Sequence, residues 1–348
     1  MKRIIYFIAA ALLSVLVFSL TISCSRDSGP ARETRFLLGT ATTISVFDSS
    51  FPSQAISRAF DRVSEIQERM SINESEYDDT EILEVNRNAG LSPVAVSDDT
   101  ALVVSEGIRW AELSSGAFDI SIAPLVQLWG IGTPRERVPA PPEIEETLPL
   151  VNYRRVSVRD GNRIFLPEEG MGIDVGGIAK GYAVDEAARI LREAGIQHAL
   201  IDFGGDIFTI GTRVDGKPWR IGVQHPSSVR QDLLAVVEIV DLAIVSSGDY
   251  ERYFEQNGIR YHHILDPATG MPSRSGLTSA TVIGPDSIGA DALSTAVFVM
   301  GLDDGMELIE SLPGYEAIFA TTNRRVYVSS GLQGRVELLA SDHELADS

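Results

Sequence analysis

The most chemically suggestive part of the sequence is the glycine-rich run at residues 174–182, DVGGIAKGY, which leads into a predicted helix. Glycines let the backbone approach a ligand closely, and amides at a helix start can face an anion. The spacing matches neither the Walker loop nor the dinucleotide fingerprint. On its own the pattern is equally typical of an ordinary tight turn between a strand and a helix. Lys180 favours a phosphate site, because a cation at this turn would neutralise an anionic ligand.

Two oxygen-bearing residues, Asp291 and Thr295, lie four apart on a second predicted helix and therefore share one face. Carboxylate and hydroxyl oxygens suit Mg²⁺, which binds one or two protein carboxylates and completes its shell with water and phosphate oxygens. The alternative is a helix cap followed by a threonine that packs in the core. A second glycine turn, DFGGD at residues 202–206, carries two carboxylates, which we interpret as turn-capping aspartates.

Two adjacent histidines, His262 and His263, precede an Asp-Pro turn. Neighbouring residues on a strand point to opposite faces, so at most one of them can face a given site. Without further information, a solvated or core-packed pair is the default interpretation. Ser247 lies in a short SSGDY segment that lacks the G-x-S-x-G elbow, so we set a serine hydrolase aside.

The composition narrows the classes of function that these residues could serve. The chain has 348 residues, 44% of them hydrophobic, and a formal net charge of −20. An acidic surface repels phosphate backbones, which argues against nonspecific nucleic-acid binding, and a polyanionic ligand would need local neutralisation, as by a metal. A single cysteine excludes disulfide frameworks and cysteine-cluster metal sites.

That cysteine lies at the end of an export signal. Lys2 and Arg3 precede an apolar run over residues 4–20, and LTISC at residues 20–24 is similar to a relaxed bacterial lipobox. We therefore expect residues 1–23 to be a lipoprotein signal peptide, Cys24 to carry the lipid, and residues 24–34 to form a polar tether. The alternative is an uncleaved signal anchor.

The elements that must position these residues are predicted from hydrophobic spacing and turn signals. We expect a strand over residues 36–47, a helix from Pro52, and a hairpin around residues 160–162. Further predicted helices cover residues 99–113, 182–194 and 291–300, and further strands cover 198–202, 219–223, 234–239 and 280–283, with a hairpin turn at 215–216. With no clear linker, residues 35–340 are predicted to form a single α+β catalytic unit, followed by a polar tail at 341–348.

Taken together, these segments closely resemble the ApbE family, the FAD:protein FMN transferases. The resemblance runs in order over nearly the whole mature chain, through LGT at 38–40, GAFD at 116–119, PL at 124–125, LWG at 128–130, residues 174–182, GGD at 204–206, residues 263–270 and ADALST at 290–295. It implies a fold related to the T-fold and a Mg²⁺-dependent reaction that moves the FMN half of FAD to a threonine of a partner protein and releases AMP.

The resemblance also implies roles for individual residues. It implies metal binding by the main chain of Gly177, by Asp291 and by Thr295, and it makes His263 the candidate base, with Lys180 orienting the substrate. It further implies FAD contacts, which involve Leu38, Ala117, Phe118, Asp119, Asp174, Lys180 and Leu265.

Two positions depart from the family pattern. Leu38 replaces a methionine of similar volume, a conservative change. Asn73 stands where many members carry an aromatic residue suited to stacking on the flavin, and the segment that follows, residues 74–79, is longer than usual. We therefore expect a looser flavin clamp here.

The resemblance leaves three functions to compare. The first is FMN transfer to acceptor proteins such as subunits of membrane redox pumps, the second is FAD hydrolysis to FMN and AMP, and the third is a flavin-binding lipoprotein without turnover. In each case we expect an exported protein, lipid-anchored on the periplasmic side of the inner membrane.

Overall fold

The computed structural model describes residues 29–48, 52–73, 77–226 and 232–346. The predicted signal peptide and Cys24 lie outside these ranges. Among the helices within them, none is long and apolar enough to cross a membrane.

The helices lie in several groups between runs of strands along the chain. They are α1 (Pro52–Met70), α2 (Glu81–Arg87), α3 (Asp98–Leu113), α4 (Ala123–Trp129), α5 (Pro141–Thr147), α6 (Ala179–Glu193), α7 (Ser287–Met300) and α8 (Leu302–Ser311). Side-chain oxygens of Thr80, Ser97 and Asp286 cap α2, α3 and α7, respectively, by accepting hydrogen bonds from backbone amides in the first turn.

The strands form one large sheet and three small ones within the described ranges. They are β1 (Ala31–Leu37), β2 (Thr40–Val46), β3 (Val94–Ala95), β4 (Ser157–Arg159), β5 (Arg163–Phe165), β6 (Ala199–Phe203), β7 (Asp206–Ile210), β8 (Trp219–Gln224), β9 (Leu233–Ile239), β10 (Ala243–Gly248), β11 (Tyr253–Gln256), β12 (Ile259–His262), β13 (Leu277–Gly284), β14 (Glu316–Thr321), β15 (Arg325–Val328), β16 (Val336–Leu338) and β17 (Glu344–Leu345).

The large sheet has the order β1-β2-β6-β7-β10-β13-β14-β15-β17 and is antiparallel except for the β15–β17 pair. The small sheets are β16-β9-β8, β3-β5-β4 and β11-β12.

The central strands of the large sheet are buried on both faces, as strand β10 shows. On β10, Ala243 and Val245 pack into the main core with α1, α6 and α7, whereas Ile244 packs into a second core against the β16-β9-β8 sheet. This is the period of two expected for side chains on a strand. A third, smaller cluster joins Trp129, Ile144 and Leu265. The mixed architecture confirms the predicted α+β class.

Most predicted elements are confirmed within a few residues, including the hairpin at residues 160–162, where Gly161 and Asn162 have positive φ. The single strand predicted over residues 36–47 is wrong. The chain reverses at Leu38 and Gly39, whose φ values are 54° and 69°, so β1 pairs with β2 as a hairpin.

Three further expectations need correction. Strand β1 starts at Ala31, so residues 31–34 belong to the sheet and not to the tether. Residues 344–345 of the predicted polar tail pair with β15. The turn at 215–216 does form, but it connects β7 and β8, which lie in different sheets, and is therefore not a hairpin turn.

Candidate active site

The glycine-rich turn brings the start of α6 against α7. A Cβ atom on Gly181 would lie 2.3 Å from the carbonyl oxygen of Ser287, so only glycine permits this approach. A Cβ atom on Gly177 would lie 3.2 Å from the Phe118 ring and 3.7 Å from Thr295 Oγ1. The turn therefore places its backbone beside the predicted metal-binding hydroxyl.

Two buried carboxylates and one lysine form the polar centre of the site. Lys180 Nζ donates a hydrogen bond to Asp206 Oδ1, and the Gly181 amide donates to Asp291 Oδ2 over 3.0 Å. Asp206 and Asp291 are 1% and 5% exposed. Burial raises the pKa of both carboxyls, and the negative charge of Asp206 raises the pKa of Asp291 further. Ionisation of both carboxyls together is therefore unfavourable here unless a cation lies nearby.

Asp206 is a site residue that the sequence interpretation missed. It follows the Gly204–Gly205 bend as expected, but its side chain points to Lys180, 26 residues earlier, instead of capping the turn. The second oxygen, Oδ2, is buried and has no hydrogen-bond partner among the described residues. The sequence feature that could have indicated a role for Asp206 in the site is an acidic residue directly after a two-glycine bend.

Hydroxyl groups extend this centre along α7 and β10. Ser247 Oγ lies 3.3 Å from Thr295 Oγ1 and 2.8 Å from Ser294 Oγ. Ser294 Oγ in turn donates to the Asp291 carbonyl over 2.9 Å. Ser247 thus supports the predicted metal-binding helix and is not placed as a nucleophile beside a base.

The two adjacent histidines face opposite sides, as predicted. His262 is 2% exposed, packs on Phe298 and lies with its Nε2 3.0 Å from the Ser273 carbonyl oxygen. His263 is partly exposed, and its Nδ1 lies 3.3 Å from the Arg252 carbonyl oxygen. A carbonyl can only accept, so this contact assigns the proton to Nδ1 and leaves Nε2 as the basic nitrogen.

The surroundings of His263 keep its imidazole neutral. Burial, followed by the positive charge of Arg252, lowers the pKa of His263 to about 3, and Lys180 contributes in the same direction. His263 therefore shares its electrostatic environment with Lys180. A bound anion would oppose the depression of this pKa, since it cancels the nearby positive charge.

Residues 117–119, which are predicted to contact FAD, lie beside the glycine-rich turn. Phe118 is 5% exposed, and Ala117 is partly exposed. Asp119 Oδ1 accepts from the Ser121 amide and hydroxyl, and Oδ2 accepts from the Tyr153 amide. Both oxygens of Asp119 therefore hold the loop in shape. Asp174 Oδ1 accepts from the Gly176 amide over 2.8 Å and fixes the start of the turn.

The turn at Leu38 and Gly39 lies near the polar centre of the site, because β2, which follows it, packs against the bend that carries Asp206. A Cβ atom on Gly204 would lie 2.2 Å from Thr40 Oγ1, so the bend that carries Asp206 packs directly on β2. The Leu38 amide donates to Gln67 Oε1, and Gln67 Nε2 donates to the Tyr77 hydroxyl. Tyr77 thus places an aromatic residue near Leu38, four residues beyond Asn73.

Leu265 is held differently from the other predicted FAD contacts. Its side chain is 6% exposed within the cluster of Trp129 and Ile144, and the residue forms an isolated bridge with Pro272. The described structure thus gathers Gly177, Lys180, Asp291 and Thr295 closely, whereas Leu38, Asn73 and Leu265 lie on the surrounding segments.

The chain is similar to known proteins over most of its length. Residues 38–319 match the model of the ApbE family. The FAD:protein FMN transferase of Treponema pallidum is 33% identical over 318 residues, which cover 87% of this chain and 88% of that protein. The one from Klebsiella pneumoniae is 34% identical over 292 residues, which cover 84% of this chain and 90% of that protein.

Solved structures are similar over most of the chain. The crystal structure of the ApbE protein from Thermotoga maritima has a TM-score of 0.80 and 34% identity, and the match covers 88% of this chain and 99% of that one. The flavin transferase ApbE from Vibrio cholerae has a TM-score of 0.78 and 30% identity, with coverage of 88% and 99%.

Proposed function

Because this chain belongs to the ApbE family, we propose that it is an FAD:protein FMN transferase. It uses Mg²⁺ to transfer the FMN moiety of FAD to a threonine hydroxyl of a partner protein, and AMP leaves. The observation that carries the proposal is the pair of buried carboxyls, Asp206 and Asp291, with Lys180 beside them, in a chain whose net charge is −20.

The residues present fit a magnesium ion. Asp206 Oδ2 is buried without a partner among the described residues, and the other nearby donors are carboxylate, hydroxyl and main-chain oxygens. Such hard oxygen ligands are the ones Mg²⁺ prefers. Asp291, Thr295 and the main chain of Gly177 would hold the ion, with Asp206 close by. When bound, the metal neutralises pyrophosphate charge and stabilises the AMP leaving group.

The protein's own residues then position the pyrophosphate and transfer the proton. The glycine-rich turn lets backbone approach the pyrophosphate, and Lys180 orients it by charge. Phosphoryl-type transfer depends mainly on such positioning and charge neutralisation. The threonine oxygen forms a bond to the FMN phosphorus while the bond from that phosphorus to the AMP oxygen breaks. His263 Nε2 takes the proton from the threonine hydroxyl.

FAD hydrolysis is the second candidate, and Asn73 is the observation that favours it. A polar residue at this position gives no aromatic cover for a flavin ring, so water has easier access to the phosphorus. A flavin-binding role without turnover is the third candidate.

One experiment separates the three functions. The purified protein is incubated with FAD and Mg²⁺, with and without an acceptor protein that carries a flavinylation threonine. Covalent flavin on the acceptor supports transfer. Free FMN and AMP in place of the conjugate support hydrolysis, and unchanged FAD that copurifies with the protein supports simple binding.

The site is proposed to act outside the cytoplasm. The leader ahead of Cys24 supports export and lipid attachment at that residue, on the periplasmic side of the inner membrane. This location is consistent with acceptors in membrane redox complexes.

A further inference from the structure

A second group of metal-ligating side chains lies at the C-terminal end of the chain. His225 directly follows β8, and Asp342 and His343 directly precede β17. The chain has only five histidines, and two of them meet here from positions 118 residues apart in the sequence. None of these three residues belongs to the family-like segments or to the active site described above.

The three side chains converge on one point. Asp342 Oδ1 lies 3.0 Å from His225 Nε2 and 3.1 Å from His343 Nδ1. The two imidazole rings are perpendicular, with centroids 4.9 Å apart. One ligand atom from each residue lies within 4.8 Å of the other two. In a tetrahedral zinc site with bonds near 2.0–2.1 Å, neighbouring ligand atoms are roughly 3.3 Å apart, so a small outward shift makes room for an ion.

Burial and charge also suit a cation. His225 and His343 are 7% and 6% exposed, whereas the Asp342 side chain is 40% exposed and leaves one side open to solvent. The other carboxylate oxygen, Oδ2, lies 3.7 Å from Arg324 Nη1, so Oδ1 is the oxygen that faces both imidazoles. Two imidazoles and one carboxylate are ligands that first-row divalent transition metals bind well, whereas Mg²⁺ prefers oxygen.

We propose that His225, Asp342 and His343 form a second metal site that binds a divalent transition metal such as Zn²⁺, with water as the fourth ligand. The site is structural. The metal would link the segment after β16 to the residue that follows β8. It would thereby connect the small β16-β9-β8 sheet to the β17 edge of the large sheet. Metal bound only by the folded chain stabilises that fold.

The test uses the full chain after removal of metal with a chelator. Co²⁺ is titrated in the presence of excess Mg²⁺, which occupies the oxygen-rich active site, and visible absorption reports nitrogen-coordinated cobalt. We expect one equivalent of Co²⁺ to bind, to be displaced by Zn²⁺, and to leave its spectrum unchanged in Asp291→Ala. His225→Ala and His343→Ala should each weaken binding by at least about tenfold.

Two variants keep the test decisive if a histidine replacement disturbs folding. Asp342→Asn retains an oxygen that both imidazoles can donate to, so it should fold yet bind Co²⁺ more weakly. His198→Gln, a histidine outside the cluster, should bind like the unmodified chain. A titration without a cobalt spectrum, together with a melting temperature that Zn²⁺ leaves unchanged, means that the three residues form only a hydrogen-bonded group and overturns the proposal. Undiminished Co²⁺ binding in His225→Ala and His343→Ala overturns it as well.

Discussion

At the scale of single residues, the site places two buried carboxyl groups where a substrate with a negatively charged pyrophosphate must bind. Asp291 and Asp206 are both buried, and Lys180 balances only one of them. Burying an unpaired charge is costly, and such groups are retained where a ligand or metal compensates them. The arrangement therefore makes sense for a site completed by a cation.

Asp291→Ala should remove most of the activity at ordinary Mg²⁺ concentrations. Loss of the carboxylate weakens metal binding, and a bound metal contributes several kcal/mol of transition-state stabilisation, or roughly a hundredfold in rate or more. FAD turnover measured at a series of Mg²⁺ concentrations checks this. Asp202→Asn, a carboxylate on the other side of the 202–206 turn, is the matched control. Near-normal turnover of Asp291→Ala would falsify the assignment.

His263→Asn should lower transfer to the acceptor while FAD still binds. General base catalysis contributes about 10²–10⁴-fold, and asparagine cannot take up the proton. The rate of acceptor flavinylation and the affinity for FAD are measured separately. His262→Gln serves as the control, since this neighbour points into the core, and an equal loss in both variants argues for a shared structural effect.

At the scale of elements, strand β12 and the residue after it set two histidines on opposite faces, and this alternation was predictable from the sequence. The direction of the Asp206 side chain was not predictable, because its partner Lys180 lies on a different element and the bend alone suits a turn cap equally well. The β1–β2 hairpin was missed for a related reason. Leu38 occupies a positive-φ position that leucine rarely adopts, so its residue type gave no turn signal.

The core position of His262 should make stability depend on pH. Burial lowers the pKa of His262 to about 4, below its ordinary value of 6.5. Between these values the unfolded chain binds more protons, so the free energy of unfolding falls as pH decreases from about 6.5 towards 4. The full effect of this group is roughly 3 kcal/mol.

Denaturant unfolding at pH 7 and at pH 4.5 measures this dependence. His262→Gln can still donate to the Ser273 carbonyl and should reduce the difference between the two pH values. If the variant and the unmodified chain lose equal stability, His262 does not account for the acid sensitivity.

The segment between α1 and α2 should control the partition between transfer and hydrolysis. Asn73→Tyr adds a ring that can stack on the flavin, worth on the order of 1 kcal/mol, and shields the phosphorus from water. We expect less FMN release relative to acceptor flavinylation, with both products measured in one reaction.

Tyr77→Leu tests the other aromatic residue of this segment, because it removes the ring, whereas Tyr77→Phe removes only the hydroxyl that binds Gln67 and is the matched control. If Asn73→Tyr leaves the product ratio unchanged while Tyr77→Leu alters it and Tyr77→Phe does not, the ring of Tyr77 covers the flavin in place of residue 73.

At the scale of the whole molecule, the order of the motifs along the chain indicated the family, and hydrophobic spacing with turn signals predicted the α+β class. The partition into sheets did not follow. The segment around residues 215–216 has the local features of a hairpin turn, and only tertiary packing sends β7 and β8 into different sheets.

Cys24→Ala should release the protein from membranes and change its processed mass. A single acyl chain gives only marginal binding, so we expect at least two on the mature protein. Fractionation and mass spectrometry of the unmodified protein and the variant check this. A variant that remains in the membrane fraction with the same mass contradicts lipid attachment at this residue.

The early start of β1 also limits where a lipid-anchored enzyme can work. Seven residue spacings separate Cys24 from Ala31, where the sheet begins, and seven spacings extend to at most roughly 25 Å. With Cys24 anchored, the catalytic unit stays within about its own diameter of the bilayer and samples little of the surrounding volume. An acceptor threonine must then be presented close to the lipid surface, and a partner whose threonine lies far above the membrane is out of reach whatever its local sequence.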